Sequence, residues 1–288
     1  VMIILRAQTG HDFSLYKKTT VHRRIERRIG LHHMDNMDTY VRFLRENPQE
    51  VETLFSELLI GVTSFFRDPG AWEQLKAEAL PALLAERASE QTLRAWVTGC
   101  STGEEAYSLA ILFKETLDAL KPRKIFKDFS LQIFATDLDS QAIGKAREGV
   151  YPAGIAADVS PERLSRFFVK TERGYRVTTS IREMVIFAKQ NLIMDPPFTK
   201  LDVLSCRNLL IYLTPELQKK ILPLFHYSLN PNGLLFLGNS ETVGGFTDLF
   251  AALDGKSRTY RRLETGLTER TVDFPILFSF TREGKAQK

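Results

Sequence analysis

Short apolar runs of strand type alternate with helical patterns over most of the chain, from residue 93 to residue 238. A parallel strand needs a long crossover before the next strand can pair with it, so this alternation is typical of a mostly parallel sheet covered by helices. The sequence therefore predicts an α/β fold. The predicted strands are 93–97, 131–136, 184–189, 202–206 and 234–238.

A glycine-containing turn joins the first predicted strand to the helix that follows it. It reads Gly99-Cys100-Ser101-Thr102-Gly103-Glu104-Glu105. Such turns bind adenosine-containing cofactors at the carboxyl end of a sheet. Glu104 and Glu105 would repel a pyrophosphate, whereas S-adenosylmethionine carries no phosphate and offers a sulfonium and an ammonium. The turn therefore predicts a methyl-donor site that includes Gly99; an ordinary tight turn with an acidic helix start is the alternative.

The second predicted strand ends in Asp137, where an acidic residue holds the ribose hydroxyls in this class of site. Asp139 is the competing carboxylate, but its position favours the N-cap of the helix 141–147. We therefore expect Asp137 to bind the ribose.

Polar residues also follow the third and fourth predicted strands. Asn191 and Leu192 follow the third strand, and Arg207 and Tyr212 follow the fourth. Because parallel strands carry their carboxyl ends at one edge of the sheet, we expect these residues beside Gly99. Asn191 can hydrogen-bond to adenine, with Leu192 against the ring.

The organisation of the chain predicts two domains. Residues 12–60 show helical spacing throughout, which indicates a small all-α domain. We assign 1–70 to this N-terminal domain and its linker, 71–263 to the α/β domain, and 264–288 to a tail or linker. Within the α/β domain, residues 150–183 interrupt the alternation and predict a short helix and a β-hairpin, as either a lobe beside the site or a surface flap.

Positive charge is concentrated at the start of the chain. The first 30 residues hold seven basic and two acidic side chains, a net charge of 7 − 2 = +5. This local charge exceeds the net charge of +4 of the whole chain. Arg23 with Arg27, and Arg24 with Arg28, place like charges at i,i+4, which is unfavourable in an isolated helix. The arrangement favours docking of an acidic partner, either nucleic acid or an acidic helix, over a merely solvated face.

The composition excludes several classes of protein. Cys100 and Cys206 are the only cysteines, so no disulfide framework and no four-cysteine zinc site can form. The five histidines show no paired ligand spacing, and we expect no metal. No apolar run approaches the roughly 18 to 20 residues that would cross a bilayer. We therefore expect a soluble, cytoplasmic protein with no membrane insertion.

Taken together, these motifs resemble the chemotaxis receptor methyltransferases of CheR type. The resemblance runs from about Asp12 to Arg262, and its motifs occur in the family's order. It implies a class I S-adenosylmethionine-dependent methyltransferase sheet, a helical N-terminal domain, and methyl transfer to glutamates in the cytoplasmic helical region of chemoreceptors. The matching motifs are Tyr16-Lys17, Arg23-Arg24-Ile25-Glu26-Arg27-Arg28, Thr63-Ser64-Phe65-Phe66-Arg67-Asp68, Ser101-Thr102-Gly103-Glu104-Glu105, Ala135-Thr136-Asp137-Leu138-Asp139, Asn191-Leu192, Cys206-Arg207-Asn208 and Ile211-Tyr212.

The resemblance also implies roles for individual residues. Arg67 and Tyr212 would lie closest to methyl transfer. The receptor-binding residues would be Arg23, Arg24, Arg27 and Arg28. The implied cofactor positions are Thr63, Arg67, Glu105, Asp137, Asn191, Leu192, Cys206 and Arg207.

Two alternatives and one departure from the family pattern accompany this interpretation. A nucleic-acid amino methyltransferase is an alternative because Asp195-Pro196-Pro197-Phe198 resembles a motif of such enzymes, although here it precedes the strand that it would have to end. The second alternative is a non-catalytic cofactor-binding module of a larger signalling protein. The predicted hairpin turn, 171–174, is shorter than in members that grip a receptor's C-terminal tether peptide, so we expect no tether binding.

Overall fold

The structure of the protein is a computed structural model that describes residues 1–87, 92–120, 129–253 and 258–264. Residue contacts divide the chain into two compact units. A helical unit comprises Val1–Gly61 and Leu210–Lys219, and a sheet unit comprises Val62–Leu209 and the chain from Lys220 onward. Most of the predicted tail, from residue 265 onward, lies outside the described residues.

The predicted all-α stretch 12–60 contains α2, α3 and α4, and the predicted helix 141–147 corresponds to α8, whereas α1, α10 and α11 were not predicted. Pro48 is the first residue of α4, where its missing N–H would have no partner within the helix in any case. The Asn36 side chain caps α3 by accepting a hydrogen bond from the Thr39 N–H. The helices are α1 (Met2–Thr9), α2 (Lys18–Leu31), α3 (Met37–Glu46), α4 (Pro48–Leu58), α5 (Pro69–Gln74), α6 (Leu80–Ala85), α7 (Glu104–Leu120), α8 (Ser140–Glu148), α9 (Pro161–Phe167), α10 (Thr179–Arg182) and α11 (Pro215–Ser228).

The helical unit is built from α1 to α4 around its own apolar core. Its core side chains come from all four helices and from the 3₁₀ turn Phe13–Leu15. Spacing of three and four residues places these side chains on one face of each helix, which explains why the period was readable in the sequence. The buried core residues are Leu5, Phe13, Val21, Ile25, Tyr40, Leu44, Val51, Leu54 and Leu58.

The segment Leu210–Lys219 also belongs to the helical unit, to which backbone hydrogen bonds join it. The Lys17 N–H donates to the Tyr212 carbonyl at 2.8 Å, and the Thr214 N–H donates to the Leu15 carbonyl at 3.1 Å. These bonds flank an isolated antiparallel bridge between Tyr16 and Leu213. The helical unit therefore includes a segment that the sequence analysis had placed in the α/β domain.

The sheet unit contains a seven-stranded sheet and a three-stranded sheet. The strands are β1 (Thr92–Thr98), β2 (Ser130–Asp137), β3 (Val150–Tyr151), β4 (Phe168–Thr171), β5 (Gly174–Val177), β6 (Val185–Lys189), β7 (Leu201–Cys206), β8 (Leu229–Leu237), β9 (Phe250–Ala252) and β10 (Thr259–Arg262). The large sheet has the order β6-β2-β1-β7-β8-β10-β9. Its first five strands are parallel, which confirms the predicted α/β class, and β10 and β9 are antiparallel additions.

The small sheet has the order β3-β5-β4 and contains the predicted hairpin, β4 and β5. Gly174 opens β5 with φ of 124°, and a Cβ there would lie 2.2 Å from the Tyr151 carbonyl oxygen. Only glycine fits this close approach. The two-residue β3 was not predicted because so short a strand shows no alternation.

The predicted domain boundary at residue 70 differs from the structure. The segment 62–70 lies in the sheet unit because the Phe66 N–H donates to Ser108 Oγ at 3.0 Å, and Ser108 lies on α7. The helical path then continues through α5, a π-helical turn at Leu75–Ala79, and α6. Pro81 at the start of α6 has no N–H to offer, which interrupts the regular α pattern. None of the helices over the described residues is long and apolar enough to span a bilayer.

Candidate functional site

The carboxyl ends of four neighbouring parallel strands, β6, β2, β1 and β7, form the edge at which most predicted site residues lie. Gly99 follows β1, Asp137 ends β2, Asn191 follows β6, and Cys206 ends β7. Glu105 lies in the first turn of α7, directly after the glycine turn. The topology therefore brings five separately predicted positions to one edge.

The glycine turn 99–103 is held tightly against β2 and α8. Gly103 has φ of 95°, and a Cβ there would lie 2.9 Å from the Cβ of Ala146. The Cys100 N–H donates to the Thr136 carbonyl at 2.9 Å. Because Gly103 meets both a backbone and a packing constraint, it cannot be replaced without moving the turn.

Asp137 accepts two backbone hydrogen bonds at this edge. The Ser101 N–H donates to Oδ2 at 2.7 Å, and the Asp139 N–H donates to Oδ1 at 2.9 Å. Burial raises the pKa of Asp137 above its ordinary value despite these bonds. Asp139 instead caps α8 by accepting from the Gln141 and Ala142 N–H groups, which confirms its predicted N-cap role.

Both glutamates of the turn are withdrawn from water. The Glu105 side chain is 14% exposed, accepts a hydrogen bond from Ser205 Oγ at 2.7 Å, and lies 3.7 Å from Arg207 Nη1. Burial raises the pKa of Glu105, although the Arg207 charge and the Ser205 bond act against it. Burial likewise raises the pKa of Glu104, which accepts from Thr102 Oγ1. Buried carboxyls with raised pKa values favour a ligand that brings positive charge.

Thr63 and Arg67 lie on the segment that leads into α5, and both are half-buried. Arg67 Nη1 donates to the Val62 carbonyl at 2.9 Å. The Arg67 carbonyl accepts from Trp72 Nε1 at 2.8 Å and from Arg207 Nη2 at 2.9 Å. These contacts connect the predicted catalytic loop to the sheet edge.

The predicted role of Arg207 as a cofactor contact stays a prediction, and its side chain lies in the interior of the sheet unit. Its side chain is 0% exposed and lies with its guanidinium carbon 5.3 Å from the Trp72 ring centroid and 4.7 Å from that of Phe236. Its Nη2 donates to Asp68 Oδ2 at 2.9 Å as well as to the Arg67 carbonyl. The side chain of Arg207 therefore holds Asp68 and the Arg67 carbonyl in place.

Asn191 and Leu192 lie in the turn after β6, and both are half-buried. Asn191 Oδ1 accepts from the Ile193 N–H at 3.0 Å, and its own N–H donates to Asp195 Oδ2 at 2.7 Å. Asp195 thus stabilises a turn. Phe198 stacks on Phe134 at 4.5 Å between centroids, which supports the rigid-turn interpretation of Asp195-Pro196-Pro197-Phe198 over base recognition.

The remaining predicted residues belong to the helical unit. Tyr212 ends a 3₁₀ turn, Leu210–Tyr212, and its pairing with Arg67 in methyl transfer stays a prediction. Arg23 and Arg27 are exposed on α2, and Arg24 is half-buried.

Arg28 was expected on the same exposed face, and this expectation is wrong. Its side chain is 12% exposed and donates to Glu50 Oε1 at 2.8 Å and to Glu57 Oε1 at 3.0 Å, both on α4. Tyr40 and His32 also hydrogen-bond to Glu50. Arg24 lies one turn of α2 before Arg28 and is also half-buried. The hydrogen bonds to Glu50 and Glu57 set Arg28 apart.

Sequence reasoning missed several residues that complete the site. Ser205 was visible only as the residue before Cys206, and Asp68 and Trp72 only as neighbours of Arg67. The partners of Ser205 and Asp68 are 100 and 139 positions away, so no local signal marked these two residues. Among the described residues, no group of His, Cys, Asp and Glu side chains is arranged to hold a metal ion.

Comparison with known proteins decides the family. The family model described as the CheR methyltransferase SAM binding domain matches residues 61–259, and that of the CheR methyltransferase all-alpha domain matches residues 1–59. The chain belongs to the CheR methyltransferase family. Its α/β part is therefore a class I methyltransferase sheet that uses S-adenosylmethionine, and its N-terminal part is the family's all-α domain.

Curated relatives cover most of the chain. It is 31% identical over 261 residues to the chemotaxis protein methyltransferase of Salmonella typhimurium, spanning 86% of this chain and 84% of that one. It is 32% identical over 268 residues to the putative methyltransferase Cher3 of Pseudomonas putida, spanning 88% and 92%. A 104.1 kDa uncharacterized protein of Rhodobacter capsulatus is 40% identical over 273 residues, but the chain spans only 28% of its length.

The residues at the sheet edge fit the cofactor of this family. Glu105 is a buried carboxylate with one hydroxyl donor and an arginine at 3.7 Å, so its negative charge is incompletely compensated within the protein. Asp137 ends β2, where ribose-binding carboxylates lie in α/β cofactor sites. An ammonium or sulfonium group and a pair of ribose hydroxyls match these donors and acceptors. S-adenosylmethionine supplies a methyl group on a positively charged sulfur.

Proposed function

We propose that this protein transfers methyl groups from S-adenosylmethionine to glutamate side chains of chemoreceptors, forming methyl esters, in the cytoplasm. The observation that carries the proposal is the sheet edge that holds the half-buried carboxyls of Glu105 and Asp137, whose pKa values are raised by desolvation. Such an edge suits a cationic, phosphate-free cofactor. The family relationship supports the receptor as the methyl acceptor.

A glutamate acceptor needs no general base in this site. Its unperturbed pKa is about 4.3, so it is ionised and nucleophilic at neutral pH. Four of the five histidines, at positions 11, 22, 32 and 33, belong to the helical unit, and His226 lies on α11. Rate acceleration must come from alignment of the acceptor oxygen with the methyl group and from removal of water around the carboxylate.

Within this proposal, Arg67 orients the acceptor carboxylate through charge-assisted hydrogen bonds. It is half-buried and carries a guanidinium beside the sheet edge, and its carbonyl is fixed by two donors. A role of Tyr212 in methyl transfer is carried over from the family resemblance alone. Thr63, Asn191, Leu192 and the backbone of Cys206 contribute the remaining cofactor contacts.

The helical unit would recognise the receptor. A groove of about 740 Å³ along α2 has an apolar floor that includes Phe13, Val21 and Ile25. Lys18 and Arg23 line the same groove. An apolar floor with basic residues suits an amphipathic helix that carries acidic residues. A nucleic acid fits this groove less well, because its backbone offers charge without a matching apolar face.

A receptor tether peptide is not part of the proposal. The turn between β4 and β5 contains only Glu172 and Arg173, which leaves no loop to close over an added peptide. Calorimetry with a receptor C-terminal peptide should show no binding; micromolar affinity would contradict this.

The function can be tested by incubating the protein with methyl-labelled S-adenosylmethionine and a soluble cytoplasmic fragment of a chemoreceptor. We expect label on the fragment that is released as methanol in mild alkali, because carboxyl methyl esters hydrolyse there. Parallel incubations with DNA and RNA serve as controls. Label that resists alkali, or label on nucleic acid, would overturn the proposal, and cofactor binding without any transfer would favour a non-catalytic module.

A further inference from the structure

The loop that carries Arg67 has an unfavourable backbone. Phe66 has φ of 49° and Asp68 has φ of 60°, so two non-glycine residues on either side of Arg67 adopt the left-handed region. Such conformations persist at functional sites only where surrounding contacts over-determine them. The loop Phe66–Asp68 therefore needs an external restraint if Arg67 is to keep one position.

Four contacts supply this restraint, and two come from Arg207. The Phe66 N–H donates to Ser108 Oγ at 3.0 Å, and Trp72 Nε1 donates to the Arg67 carbonyl at 2.8 Å. Arg207 Nη2 donates to the same carbonyl and to Asp68 Oδ2, each at 2.9 Å. One nitrogen of one guanidinium thus holds two consecutive residues of the loop.

Arg207 is itself fixed in the interior. Its guanidinium faces the rings of Trp72 and Phe236, and Nη1 lies 3.7 Å from Glu105 Oε2. A planar guanidinium can stack on aromatic rings while it donates hydrogen bonds in its plane, which an ammonium cannot do. The residue therefore connects the loop to the carboxylate of the predicted cofactor site.

We propose that Arg207 is a positioning residue that holds the Phe66–Asp68 loop, and through it Arg67, against the sheet edge. Trp72 supports the same loop through its N–H. This inference rests on the proposed function for the role of Arg67, whereas the loop restraint itself is independent of the substrate.

The direct test compares Arg207→Lys and Arg207→Met with the wild-type protein by hydrogen exchange and kinetics. We expect faster amide exchange confined to residues 62–72, kcat lowered about 100-fold because Arg67 is misplaced, and a dissociation constant for S-adenosylhomocysteine within about threefold of wild type. The lysine variant should lose as much turnover as the methionine variant. Lysine keeps the positive charge but lacks the planar guanidinium that stacks on the rings while it donates hydrogen bonds. Unchanged exchange at 62–72, or a loss carried wholly by weaker S-adenosylhomocysteine binding, would overturn the proposal.

A matched pair of tryptophan variants tests the restraint without removing a buried charge. Trp72 and Trp96 are both buried, and each donates one hydrogen bond, to the Arg67 carbonyl and to Thr136 Oγ1 respectively. Trp72→Phe should lower kcat about tenfold and speed exchange at 62–72, while Trp96→Phe lowers the melting temperature only. Equal kinetic effects of the two variants would contradict the proposal.

These readouts separate the two hypotheses. If the wild-type protein does not methylate the receptor fragment, the proposed function fails, but exchange at 62–72 still reports whether Arg207 holds the loop. If methylation occurs and the exchange pattern is insensitive to Arg207, the positioning role fails and the function stands.

Discussion

Each unit of the molecule buries an arginine against carboxylates, but the two networks leave their carboxylates in opposite states. In the helical unit, burial disfavours ionisation of Glu50, but hydrogen bonds from Arg28, Tyr40 and His32 outweigh it, and the pKa of Glu50 is lowered. In the sheet unit, burial prevails over Arg207 and the pKa of Glu105 is raised. A buried carboxylate that accepts several hydrogen bonds stabilises the fold, whereas an incompletely compensated carboxylate is available to a ligand.

The largest expected effect concerns the loop beside the sheet-edge network. Arg67→Ala should lower kcat about 1,000-fold, because the acceptor carboxylate loses its charge-assisted orientation. Affinity for S-adenosylhomocysteine, measured by calorimetry, should change by less than about threefold. Arg147→Ala is the matched control, since Arg147 also donates to a carbonyl, that of Phe187, but lies on α8. Near-normal turnover of Arg67→Ala would remove this residue from the mechanism.

Substitutions in the network of Arg28, Glu50 and Glu57 should lower the stability of the fold and leave methyl transfer unchanged. Glu50→Gln leaves the Arg28 charge under-compensated and should lower the free energy of unfolding by about 3 kcal/mol. Glu57→Gln should cost less, because Glu57 shares only one hydrogen bond with Arg28 and is more exposed. Denaturant unfolding measures both. The comparison fails if Glu57→Gln is the more damaging variant or if Glu50→Gln abolishes S-adenosylhomocysteine binding.

The two networks should respond to acid in different properties, one in stability and the other in ligand affinity. The folded pKa of Glu50 lies below its unfolded value, so its stabilisation is present at neutral pH and is lost as pH falls through that lowered pKa. Glu105 and Asp137 have raised pKa values in the free protein. The ammonium group of S-adenosylhomocysteine favours the ionised form of Glu105, and ribose hydroxyls that donate to Asp137 favour its ionised form. Affinity for S-adenosylhomocysteine should therefore fall as pH is lowered through those raised pKa values. Asp137→Asn should flatten this profile; a flat profile in the wild-type protein would contradict the assignment.

The smallest effect is expected on the exposed face of α2. Replacing Arg23, Arg24 and Arg27 together by glutamine should raise KM for the receptor fragment about fivefold and weaken its dependence on salt. Arg28→Gln is the informative contrast, because it should lower the melting temperature by breaking the bonds to Glu50 and Glu57. A change in cofactor affinity alone would show that this face does not bind the receptor.

Local sequence patterns predicted those parts of the fold that depend on residues within a single strand, helix or turn. The five parallel strands, the cap at Asp139 and the hairpin at 168–177 each follow from residues that are close in sequence. The strands β9 and β10, of three and four residues, were missed because no short turn signal joins them as it joins β4 to β5.

Two arginines show what local sequence patterns cannot reveal. The sequence shows the positive charges of Arg28 and Arg207 but not the carboxylates that pair with them in the folded protein. Glu50 lies 22 positions from Arg28, and Asp68 lies 139 positions from Arg207. Only the folded chain reveals that both charges are compensated inside the protein.

Calorimetric titration of S-adenosylhomocysteine into Glu105→Gln, with Glu50→Gln as the matched control, tests the central claim most directly. Both variants remove one buried negative charge and keep the size of the side chain. We predict affinity weakened at least about tenfold by Glu105→Gln and unchanged in folded Glu50→Gln. Equal affinities in the two variants would contradict the assignment of the sheet edge as the cofactor site.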